Sequence, residues 1–203
     1  MIDGFYGWHA GCRRRYRQAV VRECCACGTR HHDAVRYFTR GLANGELGDD
    51  GEAQATAAYT QRLEAISPRL PAPVLKLAGL NLHDATIEDV RWEPAVKRLR
   101  LSLLTLDPPS RYQAVALIYS GALLGDRRIR TLRDVARDRE TQILESEVDC
   151  DDDGGFSHRL LFWPRDELTI DFAGLSLEIA DREDRRVNLG GGFFVEILPE
   201  DED

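Results

Sequence analysis

The chain has 203 residues, 43% of them hydrophobic and 31% charged, with a formal net charge of −8. A chain of this size buries roughly 70% of its unfolded surface without a metal or disulfide staple, and its composition is that of a globular protein rather than a disordered one. The acidic balance argues against nucleic acid, whose phosphates need Lys and Arg, and no apolar run nears the ~20 residues of a membrane span.

Residues 1–34 differ in texture from the rest. Arg13, Arg14, Arg15, Arg17, Arg22 and Arg30 stand against Asp3, Glu23 and Asp33, a local balance of +3, which leaves −11 on residues 35–203. Those arginines occupy the place of a signal peptide's apolar core, so the expected compartment is the cytoplasm, with reduced thiols. Cys24 and Cys27 form one C-x-x-C pair, and His31 and His32 follow closely, with Cys12 and Cys25 nearby. These residue types are zinc ligands, but the second pair comes too soon for finger spacing. The segment shows no apolar period and contains no Lys, Leu or Pro. GC-rich DNA translated outside its reading boundary has this composition, and a valine codon serves as a bacterial start. The native protein is therefore expected to begin at or near Val35. On that reading residues 1–34 are a disordered or spurious extension, 35–198 one α+β domain, and 199–203 an acidic tail.

From Val35 onward the elements fall in order. After "VRYFTRG" and the linker "GELGDDG", Asp49 or Asp50 is placed to cap a helix. Tyr59, Leu63 and Ile66 then form its apolar stripe, and Pro68 and Pro71 end it. "PAPVLKLAG" fits a short second helix or an extended lead-in. Strands are expected over 85–92, 96–106, 112–121, 141–150, 156–163 and 167–179, separated by turns such as "DPPS" and "DDDGG". The alternation of Leu168, Ile170 and Phe172 changes phase at Leu175, which predicts a bulge or turn at Ala173-Gly174. Residues 112–121 are apolar on both faces and suit a central strand. Between the strands, Ile129, Leu132, Val135 and Ala136 form a helical stripe, with Thr131 and Asp134 as a capping-box start. "FFVEIL" adds an edge strand. Short strands with tight turns pair antiparallel, so the expected fold is α+β: an N-terminal helix packed on a curved, mostly antiparallel β-sheet. Leu63, Leu103, Leu117, Ile118, Phe162 and Ile170 are the expected core.

The segments "VRYFT", "YTQRLEAISPRLP", "LHDATIEDV" and "HRLLFWPRDELTIDF" resemble, in this order, an uncharacterised bacterial family, domain of unknown function 4085. The resemblance spans about Val35 to Ile179. It implies the same fold and no particular reaction, and the arginine-rich insert around Arg127–Arg139 does not map onto it.

Candidate chemistry is sparse. His83 and Asp84 precede a strand, where such a pair orients a base or binds a metal, or else closes an Asx-turn and caps a sheet edge. His158 shares a strand face with Phe156, Leu160 and Phe162, the setting of a hydrogen-bonded core histidine. A sharper possibility joins His83, Asp84 and His158 in one metal site. Asp149, Asp151, Asp153 and Gly154 match the start of a calcium loop, but the twelfth position is Leu160 instead of Glu. Phosphate-loop and nucleophile motifs are absent. Alternation in "ILESEVDCD" sets Glu145, Glu147, Asp149 and Asp151 on one strand face, which must meet water, a cation or a basic surface. The sequence thus predicts a non-enzymatic binding or accessory protein, of an immunity type, without a cofactor. Its acidic stripe would dock a basic protein partner. The alternative is a small metal-dependent hydrolase using His83, Asp84 and His158.

Overall fold

Two-residue apolar alternation and tight turns build most of the structure. The structure, a computed structural model, describes residues 35–107, 111–182, 186–188 and 194–196. The segment 1–34 with Cys24, Cys27, His31 and His32, and the tail 199–203, lie outside the described residues.

The helices are α1 (Arg40–Ala43), α2 (Gly48–Ile66), α3 (Ala72–Ala78) and α4 (Asp126–Arg137). Asp49 and Asp50 fall in the first turn of α2, where they complement the helix dipole, while Leu47 holds the cap position. Pro68 sits in the 3-10 turn that ends α2. On α4 the expected stripe is buried at Ile129, Leu132 and Val135. The expected capping box is not its start: Gly125 is the cap, and the Thr131 hydroxyl donates back to the Arg127 carbonyl.

The strands are β1 (Thr86–Glu93), β2 (Arg98–Asp107), β3 (Arg111–Ser120), β4 (Gln142–Cys150), β5 (Phe156–Trp163), β6 (Glu167–Phe172), β7 (Gly174–Arg182), β8 (Arg186–Asn188) and β9 (Phe194–Glu196). They form a four-stranded sheet in the order β1-β2-β3-β7, a three-stranded sheet β4-β5-β6 and the small ribbon β8-β9. All pairings are antiparallel. The fold class is α+β as expected, but the sheet divides in two. The division occurs at Ala173, where the chain leaves β6 and crosses to pair with β3. Gly121 makes that corner possible. Its φ is +64°, and a Cβ there would lie 2.8 Å from the Ala173 Cβ.

Both sheets contribute to one apolar core. From the four-stranded sheet, Leu99, Leu101 and Leu103 pair in register with Tyr119, Leu117 and Val115 and point inward. From the other sheet come Leu160, Phe162, Leu168, Ile170 and Phe172. Each such side chain, fully buried, contributes about 1.5–3 kcal/mol. Of the expected core, Leu103, Leu117, Phe162 and Ile170 are buried. Leu63 packs against the core half-buried. Ile118 is a correction. It alternates with the inward-facing Leu117 and Tyr119 and stands opposite Arg100 on the outer face.

Candidate functional site

The polar face of the three-stranded sheet holds the structure's main concentration of buried charge. Hairpin register sets Glu147 opposite Arg159, and Asp149 opposite Ser157. Glu145, Glu147 and Asp149 do share one face, as alternation requires. Their exposure is where the expectation fails: Glu147 is 0% and Asp149 4% exposed, and Glu145 is half-buried. Only Asp151 is out in solvent, in the turn beyond the strand. The stripe as a whole is therefore not a free docking face, because the protein supplies its own basic surface.

That surface comes from three places. The segment Val35–Thr39 lies over the sheet and turns three successive backbone N–H groups onto Glu147. Arg36 donates to both carboxylate oxygens at 3.0 and 2.8 Å, Tyr37 to Oε1 at 2.7 Å, and Phe38 to Oε1 at 2.9 Å. Such a run of N–H groups forms an anion-binding concavity. Asp149 receives three guanidinium groups. Arg36 Nη1 is at 3.0 Å, Arg62 of α2 is at 2.9 Å through Nε and 2.6 Å through Nη2, and Arg159 Nη2 is at 3.2 Å. Burial works to raise the Asp149 acid, but the Arg62 hydrogen bonds and the charges of Arg159 and Arg62 outweigh it, and the acid lies below its ordinary value.

Arg159, 3% exposed, is incompletely served. Its Nη1 is 3.7 Å from Glu147 Oε2, and neither Nη1 nor Nε has a hydrogen-bond partner among the described residues. At the far end, Arg40 fans its guanidinium over three carbonyls of the β5–β6 turn: Phe162 at 2.8 Å, Asp166 at 3.0 Å and Pro164 at 3.1 Å. Tyr59 completes the cover. Its ring meets Tyr37 and Phe38 at 5.4 and 5.3 Å, and its hydroxyl accepts the Val148 N–H at 2.7 Å. Burial pushes that hydroxyl up to about 12.

The histidines do not meet. His83 and Asp84 are exposed. The His83 Nδ1–H donates to the Leu144 carbonyl at 2.6 Å, its Nε2 is 3.6 Å from Asp84 Oδ1, and Asn81 closes the turn through the His83 N–H. His158 is completely buried between the sheets, with Nδ1 2.7 Å from the Tyr119 hydroxyl. Burial, reinforced by the neighbouring Arg159 charge, depresses its pKa to about 3, so the ring is neutral. No group of three His, Cys, Asp or Glu side chains among the described residues is placed to hold a metal ion. The metal site of His83, Asp84 and His158 is thereby corrected: one member is sealed in the core while two face solvent. The aspartate turn closes on itself, Asp151 accepting from the Gly155 N–H at 2.7 Å, while Asp149 points inward to the arginines. Cys150 is a buried free thiol, raised by burial.

The three arginines were missed by motif reading because their spacing, 36, 62 and 159, carries no local pattern. Arg159 alone had a signal. Folding the hairpin about "DDDGG" sets it opposite Glu147, and opposite charges in register stabilise a strand pair. Comparison of the chain with known protein families, curated proteins and solved structures gives no match.

Proposed function

We propose that the protein is a non-enzymatic binding protein of the accessory or immunity type, and that it docks a basic partner through Glu52 and Glu145. The observation that carries this reading is the state of Glu145. It is half-buried on the polar sheet face, and its carboxylate has no hydrogen-bond or ion-pair partner among the described residues. Burial raises its acid, and the negative charges of Glu147 and Glu52 add to that against the pull of His83. A carboxylate so placed is short of a cation, and a lysine or arginine from outside would supply it. Exposed Asp49 and Asp50 on the same helix as Glu52 extend the field that steers such a partner.

The test separates docking from fold. Glu52→Gln with Glu145→Gln removes charge without volume. Stability should hold or rise by up to about 0.5 kcal/mol, since an unpaired charge has gone. Association with a basic partner should slow by about tenfold at low salt, and raised salt should slow the wild type in the same way. Equal association rates for the two proteins would remove the carboxylates from any binding role.

A further inference from the structure

The segment Val35–Arg40 buries Val35 and is otherwise held on the sheet as a bound peptide would be, through main-chain and polar contacts. Its contacts with Glu147 are three main-chain N–H groups, a mode indifferent to side chains. Polar side-chain selection falls on two arginines four residues apart, with the Tyr37 and Phe38 rings between them resting on Tyr59. Arg36 goes to Asp149, and Arg40 goes to the carbonyls of Phe162, Pro164 and Asp166. The fit is incomplete, since Arg159 lies buried beneath with Nε and Nη1 lacking an acceptor among the described residues. A ligand that brought a carbonyl or carboxylate over Arg159 would satisfy what the resident segment leaves open.

We propose that the polar face of the three-stranded sheet is a peptide-binding groove filled in cis by Val35–Arg40, whose trans ligand is a peptide that bends as this segment does and bears arginines at positions i and i+4. Glu147 supplies the main-chain anchor, Asp149 the first arginine subsite and the β5–β6 turn the second. This groove is distinct from the Glu52–Glu145 surface, and neither reading depends on the other.

The experiment uses the full chain and a labelled synthetic peptide of the sequence Val35–Leu42. Arg36→Ala with Arg40→Ala weakens the resident segment and leaves every groove residue in place. This variant should bind the peptide about tenfold more tightly than the wild type does. A peptide with both arginines replaced by alanine should lose about tenfold, as should Glu147→Gln added to the variant. Absence of binding by a variant that unfolds cooperatively, or binding indifferent to the peptide's arginines, overturns the proposal. If the variant does not fold, amide exchange in the wild type decides. The Arg36, Tyr37 and Phe38 N–H groups should exchange about a hundredfold or more faster than those of Leu101 and Leu117, through local release. Exchange at the same rate as Leu101 and Leu117 would mean that the segment leaves only on global unfolding, and the groove would then be no binding site.

Discussion

Glu147 is surrounded by donors and not by water. Taking a carboxylate to 0% exposure is costly by several kcal/mol, and three N–H groups with a nearby guanidinium offset that cost. Removing one side of such an arrangement leaves the other uncompensated. Glu147→Ala should therefore cost about 3–5 kcal/mol, measured by urea denaturation, whereas the exposed Asp152→Ala should stay within about 0.5 kcal/mol. A cost under about 1 kcal/mol for Glu147→Ala would show that water fills the site. At this scale the sequence was half legible. Alternation on a strand put Glu145, Glu147 and Asp149 on one side correctly. It could not say what lay over that side, because Arg36 and Arg62 come from 113 and 87 residues away.

The open edge of β4 shows how elements protect one another. A strand edge with free N–H and C=O groups invites pairing with another chain. Here side chains from neighbouring elements occupy it. His83 bonds the Leu144 carbonyl, the Tyr59 hydroxyl takes the Val148 N–H, and Arg62 reaches the Cys150 carbonyl. The α2 stripe of Tyr59, Leu63 and Ile66 was plain from its spacing, and so were the break at Ala173 and every strand but the three-residue β8. What the stripe hid is that Tyr59 serves through its oxygen as well as its ring. The division into two sheets was equally hidden, since the partner of β7 is β3, about sixty residues upstream, and nothing local encodes that choice. Tyr59→Phe keeps the ring contacts and removes the acceptor for a buried N–H. It should cost about 1–3 kcal/mol and speed exchange of the Val148 amide selectively. An unchanged Val148 amide would mean that this edge is satisfied some other way.

Across the whole molecule the two sheets meet at Tyr119, whose ring lies against His158 and Phe172 at centroid distances of 6.1 and 5.1 Å. Putting a histidine there ties the stability of the entire fold to pH. In the folded state its pKa is held near 3, by burial first and the Arg159 charge second; unfolded, it returns to about 6.5. Above that value the ring is neutral in both states, and His158 adds no pH dependence. Below it, the unfolded chain takes up a proton that the folded core refuses. Stability then falls by about 1.4 kcal/mol per pH unit until the folded value near 3 is passed. Asp149, depressed by its arginines, adds to the loss only at lower pH, beneath its unfolded value of about 3.9. Glu145 and Glu167, both raised by burial first, act in the opposite sense and regain some stability as they protonate. The His158 contribution is isolated by difference. His158→Gln lowers stability at neutral pH but removes the titrating ring, so the advantage of wild type over variant should shrink by about 2 kcal/mol between pH 7 and pH 5. Urea denaturation at the two pH values measures it. A constant difference would mean that His158 titrates alike folded and unfolded, and that water reaches the space between the sheets.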